Sequence, residues 1–265
     1  MTALQYISDI HLEFLHIEAV KSIIRKIIPI APIIVLAGDI GNPFGKNNHY
    51  ELFIEEMSKK FEKVFLISGN HEYYHNNIDM VEERIKMVAS KYMNVTYLQN
   101  SYEDYNNIRW IGSTLWSRLD NPTKFINDVS TIQHMTVDRY NTMHSTSVKS
   151  IQEMIKGSEL QCIVITHHMP SYQLIDMKYY DDNYNMWFAS HMDNIIKDNE
   201  GKLLGWFYGH THMANNSMIN NIPMYCNPVG YKGENHKINY NTHINLKTCL
   251  CTPCLCTSCL CTQNI

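Results

Sequence analysis

A chain of 265 residues with a 45% hydrophobic share is long enough to bury one large core, and no Pro/Gly/Ser-rich linker divides it. A net charge of −4, a pI near 6.4 and the lack of any dense Lys/Arg run exclude general nucleic-acid binding as an expected role. No stretch approaches the ~20 apolar residues of a membrane span, and no charged-then-apolar leader fits ahead of Asp9, so a cytoplasmic protein is expected.

The apolar run 4–7 reads as a buried strand and ends in Ser8-Asp9-Ile10-His11. Helical periodicity follows at 17–28, then a strand at 33–37 that ends in Gly38-Asp39. A second helix at 50–60 and a strand at 64–67 lead into Gly69-Asn70-His71-Glu72, and a third helix is expected at 78–91. This alternation argues βαβ units. Short strands are expected at 95–98 and 108–111. The stretch 117–146, with Asn127-Asp128, Asp138-Arg139 and His144, has no clear period and reads as a surface excursion or as a loop over a site. A helix at 147–156 precedes a strand at 163–165 that ends in Thr166-His167-His168. The segment 176–184 leaves that strand end directly, carries Lys178, Tyr179, Tyr180 and Tyr184, and is a candidate pocket wall. A helix at 187–197 leads to the strand 203–208 and Gly209-His210-Thr211-His212. Strands at 218–219 and 224–226 flank an Asn220-Asn221 turn. The pattern is an α/β two-sheet sandwich with helices outside.

Five strand ends thus carry acid, amide and imidazole groups. Strands ending on one edge would bring them to one rim, and two divalent cations a few ångströms apart need about this many donors. Asp9 and His11 are two apart, so in an extended exit both can grip one ion. Asp39 stands alone, with two carboxylate oxygens able to bridge two ions. Asn70 offers an amide oxygen and His167 an imidazole. His210 and His212 repeat the two-apart spacing and can serve one ion each. This donor mixture suits Mn, Fe, Zn or Ni better than Ca. A lone Asp-x-His or a lone His is usually an ordinary core or surface group; five such segments in consistent strand-end positions are not. His71, next to a ligand Asn, must point elsewhere, toward solvent or substrate.

The order of these segments resembles the calcineurin-like metallophosphoesterases. Ile111-Gly112-Ser113-Thr114-Leu115-Trp116, Thr166-His167-His168-Met169-Pro170-Ser171, Phe188-Ala189-Ser190 and Cys226-Asn227-Pro228-Val229-Gly230-Tyr231 are similar to a compact, single-domain bacterial-type branch of that family. The likeness runs from about Leu4 to about Leu246. Val229 departs from it, standing where that branch is expected to carry Arg. The resemblance implies a four-layer αββα sandwich of two mixed sheets flanked by helices. It assigns Asp9, His11 and His212 to one divalent ion, Asn70, His167 and His210 to the other, and Asp39 to both. It makes His71 the catalytic histidine, and leaves His168 and Glu72 behind the ligands or in contact with substrate. The implied activity is hydrolysis of a small phosphodiester or phosphomonoester by a metal-bridging hydroxide. His71 would serve the leaving oxygen, with Glu72 or a nearby Asp fixing its tautomer. The Gly-Asp-x-x-Asp-Arg-Gly of protein phosphatases is missing after Gly38-Asp39, and no room remains for the capping domain of repair nucleases.

Two rivals stand beside this reading. One is a catalytically dispensable metal-binding scaffold that recruits a protein partner. The other is a thiol module in the Cys-Leu-Cys-Thr tail, where Cys249, Cys251, Cys254, Cys256, Cys259 and Cys261 could bind soft metals or carry acyl groups. The domain reading is 1–247 for the phosphoesterase and 248–265 for a low-complexity, disordered tail.

Overall fold

The computed structural model describes residues 2–120, 126–235 and 238–246; the expected Cys-rich tail lies outside them. The first half alternates as expected: β1 (Thr2–Ile7), α1 (Ile17–Lys26), β2 (Ile33–Ala37), α2 (His49–Lys60), β3 (Lys63–Ile67), α3 (Ile78–Ala89) and β4 (Val95–Tyr97). Then come β5 (Ser101–Tyr105), β6 (Ile108–Ser113), α4 (Asn127–Thr131), α5 (Val137–Lys156) and β7 (Gln161–Thr166). The chain closes with α6 (Asp193–Asp198), β8 (Leu203–Tyr208), β9 (Asn215–Ile219), β10 (Ile222–Cys226) and β11 (His243–Leu246).

Two mixed sheets result. One has the order β11-β1-β2-β3-β4, the other β5-β6-β7-β8-β10-β9. β1, β2 and β3 pair in parallel, as do β6, β7 and β8. β2 and β3 are buried along their whole length, which is why their sequences run apolar without alternation. Three apolar clusters lie between four layers. Leu4, Val35, Phe65 and Ile67 meet Trp110, Ile163, Ile165 and Phe207 between the sheets. Val20, Phe53, Ile54, Val81 and Ile85 seat α1–α3 on the first sheet. Ile151, Ile155, Met192 and Ile196 seat α5 and α6 on the second. Cys162 and Cys226 are buried in β7 and β10, and burial raises both thiol pKa values. No helix among the described residues is long and apolar enough to cross a membrane.

Three expectations change. The helix expected at 187–197 is only Asp193–Asp198, because Phe188–Ser190 is drawn into pairing with Met169: the Met169 N–H donates to the Phe188 carbonyl and the Ser190 N–H to the Met169 carbonyl. α5 begins ten residues before the expected start at 147, capped by Thr136, whose hydroxyl accepts from the Arg139 N–H. Its added turns bury Tyr140 and His144, polar-tipped residues that hide the apolar period. β5 and β11 were not expected; both are antiparallel edge strands with mostly exposed or half-exposed side chains.

Candidate metal centre

All five motif segments leave the C-terminal ends of parallel strands and meet at one rim, where open α/β sheets place ligands. The loops zip together as they leave. The Asp9 N–H donates to the Gly38 carbonyl, the His11 N–H to the Asp39 carbonyl and the Gly209 N–H to the His167 carbonyl. Asp9, His11, Asp39, His210 and His212 all sit in the left-handed region, with φ between 50° and 69°. The two-apart pairs therefore do not lie in the extended exits expected of them; left-handed residues in tight loops bring each pair together. Left-handed backbone costs such residues roughly 1–2 kcal/mol each, and strain of this kind clusters where function over-determines the geometry. Two glycines make room. Gly38 has φ +84, and a Cβ there would lie 2.5 Å from His167 Nδ1; one on Gly69 would lie 2.1 Å from Asp39 Oδ1.

Asp9, His11 and His212 can place one donor atom each within 4.8 Å of one another, and Asp39, His167 and His210 do the same. Asp39 Oδ2 is 3.2 Å from His167 Nε2 and 3.8 Å from His11 Nε2, so it touches both groups. Asn70 Oδ1 is 3.1 Å from His167 Nε2. The ring orientations fit divalent cations. Each of the four candidate imidazoles has its outward nitrogen beside an acceptor. His11 Nδ1 faces Glu13 at 3.2 Å and His212 Nδ1 faces Glu234 at 2.7 Å. His167 Nδ1 faces the Ala37 carbonyl at 3.0 Å, and His210 Nε2 the Trp187 carbonyl at 3.3 Å. For His11, His212 and His210 those contacts favour an outward proton and an inward lone pair. His167 Nε2 instead shares the inward side with the Asn70 and Asp39 oxygens, and burial of that ring is outweighed by the Asp39 charge, which raises its pKa to about 10. His11 Nε2 and His212 Nε2 then face each other at 2.9 Å, an arrangement a cation relieves.

His71 lies near His11 and Asp39 and could be grouped with them as a ligand. Both its nitrogens, however, have other partners: Nδ1 is 3.1 Å from Glu13 and Nε2 is 3.1 Å from the Tyr231 hydroxyl. Burial opposes its charge, but the Asp39 and Glu13 carboxylates raise its pKa to about 9. Around Asp39, burial is likewise outweighed by the imidazoles of His167 and His71, which hold the carboxyl well below its usual range.

Glu72 is not beside the His71 ring. It is fully buried behind the loops, where its carboxylate accepts from the N–H groups of Asp39, Ile40 and Gly69, so it ties two motif loops together and cannot reach substrate. Burial and the Asp39 charge push its pKa up to about 8, against those donors. Glu13 instead holds the His71 tautomer. His168 is also fully buried, bonded to the Thr114 carbonyl and the Tyr140 hydroxyl and packed on the His210 ring at 4.2 Å. Burial and His167 push it down to about 3, so it is a neutral support for His210, out of reach of substrate.

Glu13, Glu234 and Tyr74 carry no expected role, and Asp128 is expected only as part of a surface excursion or of a loop over the site. Glu13 continues the two-residue spacing from Asp9 and His11, a signal that was there to use. Asp128, on α4 in the stretch without a period, accepts from Asn70 Nδ2 at 2.9 Å and from the Tyr74 hydroxyl at 2.7 Å. It thereby turns the Asn70 amide oxygen toward His167.

A family model described as calcineurin-like phosphoesterase matches residues 6–214, which contain every motif segment above. The chain belongs to the calcineurin-like phosphoesterases. Protein L509 of Acanthamoeba polyphaga mimivirus is 28% identical over 281 residues, covering 94% of this chain and 99% of that one. Phosphopantetheinyl hydrolase of Mycobacterium tuberculosis has the same fold, with a TM-score of 0.70 at 14% identity over 95% of this chain and 97% of that one. TT1561 of Thermus thermophilus gives 0.59 at 12% identity, over 86% and 89% of the two chains. A dimetal phosphatase of Danio rerio gives 0.50 at 11%, over 85% and 86%. As a calcineurin-like phosphoesterase, this chain is a metal-dependent hydrolase of phosphoesters, with clusters of His and Asp able to hold the metal.

Proposed function

We propose that the enzyme is binuclear and hydrolyses a small phosphodiester or phosphomonoester. Asp9, His11 and His212 would hold one divalent ion, Asn70, His167 and His210 the other, with Asp39 shared. The observation that carries this reading is the set of four imidazoles turned inward by acceptors behind them, around a carboxylate that touches both groups. Bound there, Mn, Fe, Zn or Ni would neutralise charge on the phosphoryl oxygens and bring a water pKa toward neutrality.

The chain's own groups do the rest. Glu13 and Glu234 fix the tautomers of His11 and His212, and Asp128 fixes the Asn70 amide. The oxygen of a water adds to phosphorus, the ester P–O bond breaks, and the departing alkoxide takes a proton from His71 Nε2. One of the water's protons stays on the product phosphate, the other passes to solvent, and solvent returns a proton to His71. Glu13 beside Nδ1 favours the protonated ring that this step requires.

Metal analysis of the full chain and of one ending at residue 247, after loading with Mn, should give about two ions in each. One ion or none in the shortened chain would sink the binuclear reading. Two there, with turnover of a model ester lost on chelation and restored by Mn, would support it.

A further inference from the structure

Two cavities flank the candidate centre, and His71 and Tyr74 line both. The larger, of about 560 Å³, contains Asp39, Asn70, His210 and His212 and is walled by Tyr184, Trp187 and Phe188. The smaller, of about 380 Å³, opens on the other side of His71 between Phe14 and Phe44. Both are within the size range of small-ligand sites. A phosphomonoester has one organic arm and leaves the second cavity unused. A phosphodiester has two.

Charge points the same way. Asp176, Asp182 and Glu234 line the larger cavity, and no Lys or Arg lines either cavity among the described residues. Val229 packs against the apolar core and offers a phosphate nothing. The second charge of a monoester dianion would rest on the proposed ions alone, with no side-chain cation on the walls to share it.

We propose that the substrate is a phosphodiester with two arms, its departing alcohol in the larger, aromatic-walled cavity and its retained arm between Phe14 and Phe44. The orientation of His71 sets which arm leaves. Its Nε2 faces the Tyr231 hydroxyl, which lines the larger cavity, while Nδ1 is held by Glu13 on the side of the smaller one. The proton therefore reaches an oxygen on the larger-cavity side. Water adds its oxygen to phosphorus, the P–O bond to that arm breaks, the alcohol leaves protonated, and a phosphomonoester carrying the other arm remains. The aromatic lining suits a flat, uncharged or cationic departing group.

This inference rests on the phosphoester reading above, and its test separates the two. With Mn-loaded full-length enzyme, kcat/KM for bis(p-nitrophenyl) phosphate should exceed that for p-nitrophenyl phosphate at least roughly tenfold. Phe44→Ala should lower the diester value by about threefold to tenfold and leave the monoester value unchanged. Calorimetry gives a readout independent of turnover. Diphenylphosphinate, a monoanion with two arms and no ester bond to break, should bind more tightly than phenylphosphonate, a dianion with one. Equal or reversed preference in either assay overturns the two-armed substrate, as does a Phe44→Ala variant that leaves the diester/monoester ratio unchanged. If neither ester is turned over but the two-armed phosphinate still binds preferentially, hydrolysis fails as the function while the two-armed site stands. If no probe binds and no ester turns over, both fail.

Discussion

At the scale of single residues, the centre works by holding imidazoles at both ends. His71 has both nitrogens engaged by neighbours that are not proposed ligands and, unlike the buried His168, lines both cavities, which suits a proton donor held off the ions. His71→Ala should keep the metals and slow turnover by roughly 10²–10⁴-fold, the usual worth of a positioned acid. The loss should shrink for a p-nitrophenolate leaving group, which hardly needs the proton. Metal analysis with leaving-group-dependent kinetics checks this, and a lost ion would make His71 a ligand. Glu13 touches His11 and His71 at once, so Glu13→Gln should reach both functions. Metal affinity should fall roughly 10–100-fold, and kcat should stay depressed when metal is restored to saturation. Full recovery of kcat at high metal would confine Glu13 to the His11 contact.

At the scale of elements, the site is made by what happens after each strand stops. Five proposed ligands sit in left-handed backbone, and they persist there because adjacent loops bond to one another and Glu72 bonds to two loops from behind. Gly69 is the tightest point. Gly69→Ala would drive a methyl group into the Asp39 carboxylate, a collision in a rigid loop. The variant should fold with a stability loss of about 1–3 kcal/mol and bind fewer ions than the parent, seen by circular dichroism alongside metal analysis. Unchanged stoichiometry would show that Asp39 can move without losing either ion. The strand ends were legible in sequence because buried parallel strands spell continuous apolar runs and their donors follow at once. Glu234 and Asp128 were not, because each reaches the site by tertiary packing, from a loop and from the short α4, where the local sequence has no period. The 187–197 segment misled for the same reason: its apolar spacing suits a helix, but pairing with Met169 won. Glu72, adjacent to His71 in sequence, invited a role at the ring that its buried position denies.

At the scale of the whole molecule, the centre is a cross-link between sheets. Asp9, Asp39 and Asn70 follow strands of the first sheet, His167, His210 and His212 strands of the second, and Asp39 contacts imidazoles from both sides. Ions held there would resist separation of the two layers, and any ligand that binds only the folded state stabilises it by mass action. At a free metal concentration of ~100 Kd that is about 2.7 kcal/mol, which for a chain of this size is a rise in Tm of roughly 5–11 °C. Calorimetric scans of the chelator-treated and Mn-loaded enzyme should show this shift. Asp39→Asn should lose most of it, because that substitution weakens both proposed ions, whereas Asn70→Ala, which touches one, should keep a larger part. Removing everything after residue 247 should leave the shift intact, since β11 and its buried Leu246 still pair with β1. A shift that disappears with the tail and survives Asp39→Asn would move metal binding from the sheet rim to the cysteines and would put the rival thiol module ahead of the binuclear reading.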